Sequence, residues 1–187
     1  MTKALFTSDT HFGQQRTLEL SRRPFPSVEA MDAAIISNWN TVVGPDDVVF
    51  HLGDFGDPSV ISKLRAKKIW LLPGNYDTPD VVEELIDLDD RVGILVAHPF
   101  PLSSPDDFEE LPRKVYLIHE PETADDVSKF YLYGHIHQLQ MVKRNGLNVG
   151  VDCHQFYPID WETVSFYYTA IKDHYDRNVF MPMLGAL

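Results

Sequence analysis

Five short apolar runs, each ending beside a residue that can bind a metal, constrain this chain more than any other feature. The runs are Ala4-Leu5-Phe6, Val48-Val49-Phe50, Ile69-Trp70-Leu71-Leu72, Val115-Tyr116-Leu117-Ile118 and Phe130-Tyr131-Leu132-Tyr133. Short, uninterrupted runs rich in β-branched and aromatic residues read as buried strands. Asp9 and His11 follow the first, Asp54 the second, Asn75 the third, His119 the fourth, and His135 with His137 the last. In open α/β sheets ligands bind beyond the carboxyl ends of the strands, so such residues can meet in space although they are far apart in sequence.

The segments between the runs supply crossovers. Val28, Met31, Ile35, Trp39 and Val42 recur at intervals of three or four and predict one face of an amphipathic helix, with Ser27 as its N-cap. Asp57-Pro58 and Thr78-Pro79 pair a capping side chain with a proline at the first helical position, predicting two further helices and hence βαβ units. Val92 to Ala97 and Lys114 to Ile118 flank the acidic, proline-containing segment from Pro99 to Pro112, which predicts two strands joined by a surface loop. Strands are expected at Leu139 to Val142 and Leu147 to Val151, separated by the turn Arg144-Asn145-Gly146. A last helix from Asp160 would bury Val164, Tyr168 and Ile171.

At 187 residues and 44% hydrophobic, with no internal repeat or linker, the chain reads as a single domain with a substantial core. The lone Cys153 excludes a disulfide framework and a thiolate zinc cage. The first residues lack the apolar stretch of a signal peptide, and apolar runs such as Val92 to Ala97 fall far short of a membrane span; a cytoplasmic location is expected. The net charge of −12 argues against an extended nucleic-acid surface, and Asp106-Asp107-Phe108-Glu109-Glu110 reads as a solvated loop. An anionic substrate would need a local positive centre, which bound divalent ions supply. The sequence leaves the oligomeric state open.

Glycines stand beside three of the candidates, in Leu52-Gly53-Asp54, Pro73-Gly74-Asn75 and Tyr133-Gly134-His135, where a chain leaving a strand must turn sharply. Taken in order, Asp9-Thr10-His11, Gly53-Asp54, Gly74-Asn75-Tyr76-Asp77, His119 and Gly134-His135-Ile136-His137 resemble the motif set of the calcineurin-like metallophosphoesterases. Asn148-Val149-Gly150-Val151-Asp152 looks like a segment of the small bacterial and phage members. The resemblance implies an α/β fold, a four-layer αββα sandwich of two mixed sheets with flanking helices. It also implies that Asp9, His11 and His137 hold one metal and Asn75, His119 and His135 the other, with Asp54 bridging them. The implied reaction is hydrolysis of a small, nucleotide-like phosphodiester or phosphomonoester by a metal-activated hydroxide, the diester being preferred. Nitrogen and oxygen ligands without thiolate suit two ions of manganese first, then iron, zinc or nickel.

The chain departs from the family pattern at Tyr76, which stands where relatives carry the histidine that contacts phosphate and protonates the leaving group. A phenol with pKa near 10 is a weaker acid at neutral pH than an imidazole near 6.5, which points to substrates with good leaving groups. The resemblance places Asp77 as the acidic partner of that position, with a helix-start role beside Thr78-Pro79 as the alternative. Asn75, Tyr76 and Arg22 are candidate substrate contacts; Arg16 and Arg23, on the same stretch, could also reach a substrate phosphate, although exposed loop arginines are common. Either His119 or His98 can be the single family histidine; the longer apolar run before His119 favours it. His51, inside a strand, reads as a hydrogen-bonded core residue. Two other readings are a metal-binding scaffold with weakened catalysis, supported by Tyr76, and a Rossmann-like domain, opposed by the lack of a Gly-x-Gly-x-x-Gly after the first strand.

Overall fold

A computed structural model of the chain describes residues 2–102, 114–124 and 126–174. Its first sheet is built on β1 (Ala4–Thr7), all four residues of which are buried. β2 (Val48–His51), β3 (Lys68–Leu71) and β4 (Val92–Ile94) follow in parallel on one side, and β10 (Ile159–Asp160) pairs antiparallel on the other. The register aligns Leu5 with Val49, Val49 with Ile69 and Ile69 with Val92. Because side chains alternate across a strand, this row faces one way and the row of Phe6, Phe50 and Trp70 the other.

The Leu5 row packs against α2 (Val28–Val42) and α3 (Pro79–Leu88), burying Met31, Ile35, Trp39 and Leu85. Ser27 and Thr78 cap these helices through their side chains, as expected. The buried Trp39 indole donates to the Arg65 carbonyl at 2.7 Å, so its polar edge is satisfied inside the apolar layer.

The Phe6 row packs against the second sheet, whose order is β5 (Phe100–Leu102), β6 (Val115–Leu117), β7 (Phe130–Tyr133), β9 (Gly146–Asn148) and β8 (Val142–Lys143). The three central strands are parallel and the two edges antiparallel, so both sheets are mixed. Val115, Leu117, Phe130, Leu132 and Leu147 point into the core between the sheets, and Tyr131 and Tyr133 onto the outer face with Ile118. α4 (Trp161–His174) packs into the same inter-sheet core through Trp161, Val164, Tyr168 and Ile171. Asp160 caps it by accepting from the Thr163 N–H at 2.9 Å. The result is the expected α/β sandwich of two mixed sheets with flanking helices. Among the described residues no helix is long and apolar enough to cross a membrane.

Several local expectations are corrected. Val92 to Ala97 and Lys114 to Ile118 are not partners: β4 lies in the first sheet and β6 in the second. The antiparallel partner of β6 is β5, in a proline-containing stretch read as loop; Pro101 is tolerated because β5 is an edge strand. The acidic run Asp106 to Glu110 lies outside the described residues. Asp57 caps a 3-10 turn over Pro58–Lys63 rather than an α-helix. The strand expected over Leu139 to Val142 is found only at Val142–Lys143, and Leu139 instead ends a 3-10 turn over His137–Leu139. The short α1 (Gln15–Leu20) had too few turns to show a periodicity.

Candidate metal centre

The strand ends of both sheets converge on one place. Asp9 donates its N–H to the Gly53 carbonyl at 2.9 Å and His11 to the Asp54 carbonyl at 3.0 Å, tying the turn after β1 to the turn after β2. The His135 N–H in turn donates to both oxygens of Asp9, at 2.9 and 3.0 Å, joining the second sheet to the first. These turns are conformationally costly: Asp9, His11, Asp54, His135 and His137 have φ of 59°, 49°, 59°, 71° and 49°. Non-glycine residues rarely occupy this left-handed region, each costs on the order of 1–3 kcal/mol there, and such strain gathers at functional sites.

Two groups of ligand atoms result. Those of Asp9, His11 and His137 lie within 4.8 Å of one another, and so do those of Asp54, His119 and His135. Asn75 belongs with the second group, its Oδ1 lying 3.1 Å from His119 Nε2 and 2.9 Å from His135 Nδ1. Asp54 stands between the groups. Its Oδ1 accepts from the Tyr76 N–H at 2.9 Å, while Oδ2 lies 3.5 Å from His11 Nε2 and 3.4 Å from His119 Nε2. A single oxygen, rather than one from each arm of the carboxylate, therefore faces both groups.

Three imidazoles are aimed by what their other nitrogen meets. Nδ1 of His11 contacts Gln14 Oε1 at 2.8 Å, that of His119 the Leu52 carbonyl at 2.7 Å, and that of His137 Asp152 Oδ2 at 2.7 Å. Each partner oxygen accepts, so Nδ1 carries a proton in all three and Nε2 is the nitrogen turned towards the site. For His11 that Nε2 is buried without a hydrogen-bond partner, a state that costs free energy in a core and suits a nitrogen awaiting a metal.

Electrostatics set the histidines apart. Burial, opposed by the nearby Asp54, lowers the pKa of His11 to about 4 and keeps it neutral. Burial would lower His119 too, but bonding to Asp54 and the charge of Asp9 outweigh it and raise the pKa to about 9. Burial raises Asp9, partly offset by His119 and His137. Desolvation works to raise Asp54, yet His119 and the Tyr76 N–H hold it below the usual carboxylate value. Imidazole nitrogens and buried carboxylates without thiolate fit a pair of divalent ions of intermediate softness. Cys153 stays out of the set: burial raises its thiol to about 12, and it donates to the His137 carbonyl at 3.2 Å.

The remaining candidates separate clearly. His98 lines a cleft of about 270 Å³ with Asn75, His119 and Glu120 and belongs to neither group. His51 is buried, with Nε2 2.9 Å from Thr10 Oγ1, in the structural role expected of it. Tyr76 is 43% exposed, its ring edge-on to His11 at 5.5 Å. It lines a cavity of about 360 Å³ with His11, His135, His137, Arg16, Leu20 and Leu139. Arg22 is exposed and not among that lining, whereas Arg16 is. Asp77 neither meets the Tyr76 side chain nor caps α3: it accepts from the N–H groups of Asp54, Phe55 and Gly74 at 2.7, 3.0 and 2.8 Å. It braces the turns that carry Asp54 and Asn75. Gln14 and Asp152 emerge as supports of the centre that the sequence had not assigned, and Arg23, read as able to reach a substrate phosphate, is instead buried against Asp152 and the carbonyls of Asp9 and Thr10.

Residues 3–151 match the Calcineurin-like phosphoesterase superfamily domain. An uncharacterised protein of Methanocaldococcus jannaschii is 29% identical over 180 residues, covering 88% of this chain and 90% of its own. The Gene 66 protein of Mycobacterium phage L5 is 36% identical over 88 residues, 42% of either chain. In fold, the chain is similar to the crystal structure of a protein of unknown function from Aquifex aeolicus. The two share a TM-score of 0.65 at 19% identity, over 89% of this chain and 100% of that one. With its motifs in order, its strand ends converging on two ligand groups and its sequence matched over most of its length, the chain belongs to the calcineurin-like phosphoesterase superfamily.

Proposed function

We propose that the chain hydrolyses a small phosphodiester, with two divalent ions held by Asp9, His11 and His137 on one side and Asn75, His119 and His135 on the other. The observation that carries this reading is Asp54 Oδ2, which lies 3.5 and 3.4 Å from a histidine of each group. Bound ions would supply Lewis acidity to phosphoryl oxygens and a lowered pKa to water, the chemistry of phosphoester hydrolysis without a protein nucleophile. The protein's own residues would orient that chemistry. Gln14, Leu52 and Asp152 hold Nδ1 of three of the imidazoles, and the place of Tyr76 in the lining of the cavity beside His11 supports a leaving-group role for its phenol.

Diester is preferred because two openings flank the centre, about 360 Å³ beside Tyr76 and about 270 Å³ beside His98, one for each ester arm. The larger cavity, with Arg16, Leu20 and Leu139 in its lining, suits a substituent of mixed character, such as a nucleoside. Manganese is the first choice of metal, and a single unpaired Cys153 suits a reducing, cytoplasmic setting.

The test is hydrolysis of nitrophenyl monoester and diester with manganese, nickel or zinc added, comparing the native chain with His135→Ala. Metal-dependent turnover, greater for the diester and lost in the variant, is expected. No metal-dependent turnover of either ester would leave a metal-binding scaffold as the better account.

A further inference from the structure

The Arg23 guanidinium is buried and engaged on every side. Nε and Nη2 fork onto Asp152 Oδ1 and Oδ2 at 2.9 and 2.8 Å, while Nη2 and Nη1 also donate to the carbonyls of Asp9 and Thr10 at 2.6 and 2.9 Å. Asp152 Oδ2 in addition accepts from His137 Nδ1 at 2.7 Å. One buried ion pair thus joins the Asp9-Thr10-His11 turn to His137, although Arg23 and Asp152 are 129 residues apart in sequence.

The second group is supported differently. His119 rests its Nδ1 on the neutral Leu52 carbonyl, and Nδ1 of His135 faces Asn75. A carboxylate behind an imidazole fixes its tautomer and makes its free nitrogen a stronger donor, which a neutral carbonyl does less well. Both oxygens of Asp152 are spent as acceptors in this role, Oδ1 towards Arg23 Nε and Oδ2 towards Arg23 Nη2 and His137 Nδ1. The cation opposite it cancels the added charge, so the pair contributes position and basicity without altering the charge of the site. Asp9 and His11, at φ of 59° and 49°, also need an outside hold on their backbone, and the Arg23 bonds to the carbonyls of Asp9 and Thr10 supply one.

We propose that Arg23 and Asp152 are positioning residues that make Asp9, His11 and His137 the tighter of the two ion sites, loaded before the site of Asp54, His119 and His135. This rests on the two-ion reading above.

The test is titration of the metal-stripped full chain with manganese, following free ion by electron paramagnetic resonance, with no turnover required. Two binding steps are expected for the native chain. Asp152→Asn should weaken the tight step by roughly 10–100-fold, the usual cost of losing such a partner, and leave the weaker step in place. Arg23→Lys keeps the charge but loses the fork, so it should weaken the same step less; it carries the test alone if Asp152→Asn does not fold. His119→Ala should lose the weaker step and keep the tight one. A pair with a purely structural role would lower the unfolding temperature of the stripped protein and leave both ion affinities of the folded variants unchanged; that result overturns the proposal, as does loss of the tight step in His119→Ala. Two ions bound in a single step would also overturn the proposal, whereas fewer than two ions bound in total would overturn the two-ion reading itself.

Discussion

The backbone N–H of Tyr76 donates to Oδ1 of Asp54 at 2.9 Å. Tyr76 is therefore tied to the central carboxylate by its main chain, whatever its side chain, while the phenol is free to face the cavity. Replacing the side chain should change leaving-group chemistry and leave the metal groups standing. Tyr76→His should raise kcat/KM for an alkyl phosphodiester with a poor leaving group by on the order of a hundredfold, the lower part of the range for a positioned general acid. Bis-nitrophenyl phosphate, whose leaving group needs no proton, should change little. An unchanged ratio between the two substrates would remove Tyr76 from the leaving-group position.

How much of this was legible beforehand depends on whether the signal is local. α2 shows in the sequence because Met31, Ile35 and Trp39 recur at helical spacing, and β7 because Phe130 to Tyr133 is an unbroken apolar run. The metal candidates show because each closes such a run. β5 does not, since Pro99 and Pro101 imitate a loop and only its edge position makes it a strand. The Arg23–Asp152 pair is invisible for a different reason: contact between residues 129 apart is created by the fold and leaves no trace in spacing. The structural role of Asp77 was hidden likewise, because its partners are backbone N–H groups, two of them in the turn after β2.

Asp77 should matter first to stability. Asp77→Ala leaves the N–H groups of Asp54, Phe55 and Gly74 without their acceptor. At roughly 1–3 kcal/mol for each of the two buried donors, Asp54 and Phe55, a total loss of about 2 kcal/mol or more is expected in urea unfolding of the metal-stripped protein. A loss well below about 1 kcal/mol would mean that the turns do not depend on this carboxylate.

His51 should make the protein acid-sensitive. Burial lowers its pKa to about 3 from an ordinary 6.5, so the unfolded chain takes up a proton that the folded chain refuses. Stability is complete above pH 6.5 and should fall as pH drops from there towards about 3, by up to roughly 1.4 kcal/mol per pH unit for this one group. In His51→Gln the slope between pH 6 and 4 should be shallower by about that one proton, read from urea midpoints at each pH. An unchanged slope would place the acid sensitivity elsewhere.

Gly134 is a matter of space. A Cβ there would run into Ser8 Oγ and come within 2.5 Å of Asp9 Oδ2, so Gly134→Ala must push aside a ligand of the first group. Overpacking of this kind costs on the order of 1–3 kcal/mol. Manganese affinity should fall together with thermal stability; full affinity in the folded variant would show that Asp9 need not sit where the structure places it.

The central claim is that two ion sites sharing Asp54 together perform hydrolysis. Its most direct test is turnover of bis-nitrophenyl phosphate by metal-stripped protein as manganese is added in measured equivalents. Activity should appear only as the second site fills, and Asp54→Ala, which removes the oxygen facing His11 and His119, should abolish it. Full turnover with one equivalent, or turnover that survives Asp54→Ala, would contradict the account.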